Sequence, residues 1–426
     1  AVLNDEEYVV GTPITEDGEY TLIVIDAAGN YTAVTFVIDS TEPEFETPKS
    51  GEHSETVINV KVNDANLDYV EITNQDTGVT YRETNSEFTL EDEATYKLVA
   101  FDKAGNKSKD VWTAIDKTNP VITGLTEGKD EYQEVTLTIT DKFLKKVTVN
   151  GEEITGIVTD SKNENGKLEK TFSDEGTYTV VATDKFGHTA TVTFTIDKTA
   201  PVYTNLGVLN VSNYPDKGTY EYVKNGDTIR VIVRFAEKLA VEPQVSINGG
   251  EKLPCTFRQQ SSSETSFVYM TDFTIPENEE TLTEGEINVV VSDYADLAGN
   301  VGVTLTNENI NDNAYPGVTY DRTGAGYTVK SESKGTEEKN IYSKVSFKLE
   351  DNYMLDKVIL NGVEKDLTNN RWSDLNDIVP GSYGAIEGEN TLEIYDLAGN
   401  KTEYKFTLDT KTPGYTVKPE SKGTEE

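Results

Sequence analysis

One pattern recurs five times along this chain and sets narrow limits on its fold. Its clearest copy runs from Tyr178 to Thr183, continues as Asp184-Lys185-Phe186-Gly187-His188, and closes with Val192 to Asp197 before Lys198-Thr199-Ala200-Pro201. It reads as two short strands joined by a glycine turn, followed by a charged exit. The turn returns as Asp26-Ala27-Ala28-Gly29-Asn30, Asp102-Lys103-Ala104-Gly105-Asn106, Asp296-Leu297-Ala298-Gly299-Asn300 and Asp396-Leu397-Ala398-Gly399-Asn400. The exit aspartates Asp39, Asp116, Asp197, Asp321 and Asp409 lie 77, 81, 124 and 88 residues apart. A repeat of ~100 residues made of short alternating strands is the size of an immunoglobulin-like sandwich, not of a helical solenoid unit.

Alternation predicts which face is buried. Tyr20/Leu22/Val24, Tyr96/Leu98/Ala100 and Tyr178/Val180/Ala182 share one parity, as do Val34/Phe36/Ile38 and Val192/Phe194/Ile196. Side chains alternate faces along a strand, so this parity packs inward while Thr and Lys face water. Tyr20, Tyr96 and Tyr178 each follow a short acidic turn, which suits a tyrosine corner; Ile287 and Asn390 stand there in copies four and five. Asn150-Gly151 marks a tight turn in mid-repeat.

The expected class is all-β: tandem immunoglobulin-like β-sandwiches arranged as an extended rod. The boundaries read from the pattern are a partial domain at 1–39, domains at 40–116 and 117–197, a larger one with insertions at 198–321, a domain at 322–409, and the start of a further repeat at 410–426. Gly414 to Glu426 repeats Gly326 to Glu338 almost residue for residue, so the chain reads as cut from a longer array. Joints such as Asp116-Lys117-Thr118-Asn119-Pro120 end in proline, which favours short, stiff linkers.

Composition excludes several functions. A formal charge of −38 repels nucleic acid and anionic membrane. The single cysteine, Cys255, permits no intramolecular disulfide, which suits a bacterial surface protein better than a eukaryotic secreted array. No apolar run reaches membrane-spanning length. The two histidines, His53 and His188, and Cys255 suggest no catalytic constellation, so the chain is read as non-enzymatic.

The mid-repeat Asn-Gly, the strand ending in Asp-x-Ala-Gly-Asn, the closing Phe-x-Ile-Asp and the Asp-x-Thr-x-Pro joint resemble the bacterial Ig-like domains strung along Gram-positive surface proteins. That resemblance implies an extracellular, wall-attached or secreted segment. Its leading function would be a cell-surface adhesin binding a host macromolecule, either a host protein such as matrix protein or immunoglobulin, or a mucin-type glycan. Passive stalk repeats, or carbohydrate-binding accessory modules of a large secreted glycosidase, are the alternatives. The array is expected to be monomeric.

Candidate sites follow. Exposed Trp and Arg are common anchors and flat rings stack on sugars. Arg371-Trp372, in a loop-like run, is therefore one candidate. The aromatic insertions of the larger domain, including Tyr214, Phe257 and Tyr269, are another, against the plainer reading of a bigger core. Trp112 has outward parity. Calcium at the domain joints is the expected cofactor if there is one. Asp116 and Asp197, with the strand-end Asp102 and Asp184, are its candidate ligands, because calcium gathers several oxygens. The plainer reading makes them turn-forming surface acids.

Overall fold

Where apolar residues alternate in this sequence, the chain is extended, and where glycine or Asn-Gly interrupts them, it reverses. The structure, a computed structural model, describes residues 1–160, 165–212, 221–259 and 266–416. It is all-β, with two short 3-10 turns, Asn307–Asn309 and Glu337–Lys339, as the only helical segments among the described residues. The chain forms two compact units, Ala1–Asp197 and Lys198–Glu426.

Within the first unit, Ile58–Asn63, Glu44–Thr47 and Glu87–Leu90 form one sheet. It faces a second sheet ordered His53–Ser54, Val111–Ile115, Ala94–Asp102, Leu67–Asn74, Thr80–Glu83. Val60, Ile72, Leu98 and Ile115 meet between them. The residues from Val121 to Ile196 repeat this plan around Leu137, Val147, Val180 and Phe194. In the second unit the core from Leu206 to Tyr320 is larger, and the core from Ala325 to Leu408 follows it. Burying each such side chain contributes about 2 kcal/mol, so the cores, and not the polar surface, hold the sandwiches. These are tandem Ig-like sandwiches. Residues 2–38 differ: they form a four-stranded sheet with no facing sheet among the described residues, and Val24 and Val34 on its apolar face stay exposed.

The repeated motifs have physical causes. Tyr20, Tyr96 and Tyr178 each donate a hydroxyl to the carbonyl four residues earlier, on Glu16, Asp92 and Asp174, at 2.9, 2.8 and 2.8 Å. Asn390 does this work differently. It is buried, its Nδ2 donates to the Ile386 and Gly388 carbonyls, and its Oδ1 accepts from the Ile386 amide. The mid-repeat asparagines Asn4, Asn150, Asn248 and Asn361 all have positive φ, as their turns require. Each also accepts a backbone N–H from the neighbouring strand, at Thr21, Thr179, Asn288 and Thr391.

Each of the four sandwiches adds a short early strand parallel to its last one: His53–Ser54 on Val111–Ile115, Glu131–Tyr132 on Thr189–Ile196, Tyr222–Val223 on Thr319–Tyr320, and the start of Ile341–Leu360 on Lys401–Leu408. That ladder ends on the exit aspartate. The amides of Asp116, Asp197, Asp321 and Asp409 donate to Ser54, Tyr132, Val223 and Tyr342. The joint is therefore held at a fixed place on the sheet edge.

Candidate functional site

The strand-end aspartate builds its turn alone. Asp396 Oδ1 accepts the Asn400 amide at 2.8 Å and Asp396 Oδ2 accepts Asn400 Nδ2 at 2.8 Å. Asp26 with Asn30, Asp102 with Asn106 and Asp296 with Asn300 repeat the arrangement. The intervening glycines, Gly29, Gly105, Gly187, Gly299 and Gly399, have φ between 83° and 100°, where a Cβ is strained. His188 takes the asparagine's place beside Asp184, with Nδ1 2.6 Å from Oδ2. Partial burial pulls the His188 pKa down, but the hydrogen bond and charge of Asp184 more than offset it, and the net shift is upward.

The turn also reaches the joint. Asn106 Nδ2 donates to the carbonyl of Asp39 at 2.9 Å, and Asn400 Nδ2 to that of Asp321 at 3.0 Å. This brings the exit aspartate of one sandwich against the strand-end aspartate of the next. A third aspartate joins them from an early strand or its end. Asp64, Asp141 and Asp351 each accept the amide two residues on, at 2.7, 2.7 and 2.8 Å.

The result is a recurring carboxylate cluster. Oxygens of Asp39, Asp64 and Asp102 lie within 4.8 Å of one another, as do those of Asp321, Asp351 and Asp396, and the ligand atoms of Asp116, Asp184 and His188. Asp116, Asp102 and Asp184, expected at joints from sequence, are brought into these clusters. Asp197 lies at the end of the first unit, its amide held by Tyr132. The third aspartate escaped the sequence reading. Its only signal was recurrence: Asp64 and Asp141 each follow the previous exit aspartate by 25 residues, and Asp351 by 30.

Electrostatics mark the last cluster. Burial, then the charges of Asp396 and Asp351, push the Asp321 carboxyl up to about 7. Burial raises Asp396 to about 6 against the opposing hydrogen bonds of Asn400, and burial also raises Asp351. Asp141, beside Asp116 and Asp184, is raised to about 6, again mainly by burial. Asp64 is raised by burial, whereas Asp39 is lowered by the Asn66 amide at 2.7 Å.

The aromatic candidates separate sharply. Tyr269 is 1% exposed, and its hydroxyl accepts the Leu239 amide inside the larger core. Phe257 packs on it with ring centroids 5.3 Å apart. Tyr269 offers no face to a ligand, and Phe257 is partly buried against the same core, because pairing of Thr256–Gln259 with Phe267–Thr274 turns that parity inward. Tyr214 lies outside the described residues. Trp112 faces outward, with Lys97 over its ring.

Arg371 and Trp372 are not in a loop. They belong to the strand Val363–Ile378, where Trp372 pairs with Glu350 of the long strand Ile341–Leu360. Trp372 is 61% exposed. It lines a shallow depression with Arg371, Lys330, Lys348, Glu350, Asp351 and Asp374. Lys348 pairs with Glu350 at 2.8 Å and Lys330 with Asp374 at 3.2 Å, so the rim is polar and charge-balanced. Cys255 is buried and its thiol is pushed up to about 12, chiefly by burial, which makes it a core residue and not a nucleophile.

No protein-family model matches the sequence, and no curated protein matches it. Among solved structures, the chain is similar to the N-terminal eight Ig domains of Down Syndrome Cell Adhesion Molecule at 12% identity and TM-score 0.21, covering 95% of this chain and 59% of that one. It is similar to a tetra-tandem repeat from the extending region of a large adhesion protein at 14% identity and TM-score 0.24, covering 84% and 96%. It is also similar to a Ca2+-stabilized adhesin with which an Antarctic bacterium binds ice, at 17% identity and TM-score 0.26, covering 87% and 100%. At scores this low, the fold rests on the sheets themselves. No helix among the described residues is long and apolar enough to cross a membrane.

Proposed function

We propose that this chain is a non-catalytic segment of a bacterial cell-surface adhesin, displayed outside the cell, whose sandwiches present a contact for a host macromolecule. The observation that carries the reading is Trp372: a large ring, mostly exposed, on a rigid sheet beside Arg371 and a polar rim. Exposing such a ring to water forgoes its burial energy, and a partner recovers it. A flat ring in a shallow, hydrogen-bonding depression favours a sugar over a protein knob, so a mucin-type glycan is the preferred host ligand. A matrix protein or immunoglobulin is the second.

The test is a screen of the whole chain against a glycan array and immobilised matrix proteins and immunoglobulin, repeated with Trp372→Ala. Saturable binding lost in the variant supports the reading. Binding only to structural polysaccharide would make these accessory modules of a glycosidase. No binding at all would leave a passive stalk.

A further inference from the structure

We propose that Asp321, Asp351 and Asp396 form a binding site for a hard divalent cation, calcium, which ties the exit of one sandwich to two turns of the next. The inference does not rest on which macromolecule the chain binds, although Asp351 also lines the depression beside Trp372.

Three carboxylates within 4.8 Å are by themselves only a concentration of charge. What distinguishes this cluster is unused, buried acceptor capacity. Asp321 is 1% exposed, its Oδ1 accepts the Thr323 amide at 3.2 Å, and its Oδ2 is buried with no hydrogen-bond donor. Asp351 repeats this: Oδ1 caps Tyr353, and Oδ2 is buried without a partner. Among the described residues no lysine or arginine forms a salt bridge with any of the three. Arg371, the cation that acts on Asp351 electrostatically, gives its Nε–H to the Tyr353 carbonyl instead. A buried carboxylate oxygen ordinarily has a donor or a metal, and here a donor is lacking.

The chemistry of the donors selects the ion. All are oxygens, which disfavours zinc and other borderline metals. They come from three separate backbone segments with no octahedral arrangement imposed, which suits calcium's flexible shell of 6–8 oxygens better than magnesium's rigid one. The Asp116 cluster shares the mark, since Asp116 is fully buried and its Oδ2 also lacks a donor. In the Asp39 cluster the corresponding oxygen is already taken by Asn66. Affinity should therefore fall in that order, with the Asp321 site tightest.

The experiment is calorimetric titration of the chelator-stripped full chain with CaCl2, with Trp372 fluorescence following unfolding in parallel in a Trp112→Phe background. Asp321→Asn and Asp351→Asn are compared with Asp374→Asn, a partly exposed acid of the same sandwich whose carboxylate pairs with Lys330. Both replacements at the site keep an oxygen for their turn, and protection of Cys255 from thiol reagent shows that the larger sandwich is still folded. The proposal expects saturable binding, a higher unfolding midpoint with calcium, and loss of about tenfold or more in affinity at one site in Asp321→Asn and Asp351→Asn but not in Asp374→Asn. Absence of binding in folded protein, equal response to MgCl2, or unchanged titration of the folded site variants would each overturn it.

Discussion

Asn390 offers the sharpest test of how the repeat tolerates change. Three copies secure this corner with a tyrosine hydroxyl, and the last does so with a buried amide. Tyr96→Phe removes one hydrogen bond, to the carbonyl of Asp92, a residue that water reaches. The cost should be about 1 kcal/mol. Asn390→Ala removes four: two from Nδ2, to Ile386 and Gly388, and two at Oδ1, from the Ile386 amide and Asn361 Nδ2. At about 1 kcal/mol each, less what water regains at the turn, the loss is about 3 kcal/mol. The two tryptophans allow separate readings, because Trp112 sits on the sandwich of Tyr96 and Trp372 on that of Asn390. Urea unfolding of the full chain, excited at the tryptophan edge, would be run with Trp112→Phe or Trp372→Phe to leave one reporter at a time. With a slope of about 1 kcal/mol per molar for a small sandwich, the Trp112 midpoint falls by about 1 M in Tyr96→Phe and the Trp372 midpoint by about 3 M in Asn390→Ala. A smaller shift for Asn390→Ala than for Tyr96→Phe would refute the claim that the amide replaces and extends the tyrosine's role.

The buried thiol of Cys255 should resist thiol reagent in native protein and react only as the larger sandwich opens, so its labelling rate tracks unfolding. Gly187→Ala places a Cβ at a φ of 100° and should destabilise its sandwich by about 1 kcal/mol or more, read by thermal unfolding, although nothing lies in the way of the added atom. In chelator, the sandwich of Asp351 and Asp396 should grow more stable as pH falls. Folding raises Asp321 to about 7 and Asp396 to about 6 from 3.8, so the folded state binds more protons across that window. The associated stability is complete below pH ~4 and lost as pH rises through 6 to 7. A Trp372 unfolding midpoint equal at pH 5 and pH 8 would contradict it.

Strand parity, the Asp-x-x-Gly-Asn turns and the tyrosine corners were legible because each is local: the residues that interact lie within four positions of one another. The fate of Tyr269 and Phe257 was not, because burial there depends on which strands pair across an insertion, and aromatic content alone cannot distinguish a display surface from a thicker core. Trp372 sits in a polar run without alternation and reads as loop. It is extended because the 20-residue strand Ile341–Leu360 supplies a ladder before and after an interruption. The joint and strand-end aspartates were visible as suspects. For Asp116 and Asp321, their meeting with a third acid depended on the parallel edge strand that fixes the exit aspartate, a contact across more than 60 residues.

The clusters raise a question that turn chemistry does not answer. A chain of net charge −38 has ample surface for its acids, and burying several together works against folding. The turns need an oxygen at each position, but not a charge. Asparagine would accept the Tyr353 amide as Asp351 does, or the Thr323 amide as Asp321 does, without like-charge repulsion. At Asp396 both oxygens are used by Asn400, so the carboxylate there has a local reason. At Asp321 and Asp351 one oxygen is used and the other is left buried and unmatched, which is the part that an amide would have relieved. Charge retained where a neutral residue would serve the turn equally well is charge directed at something else, and three converging carboxylates with no lysine or arginine paired to them among the described residues leave a cation as the partner of matching sign.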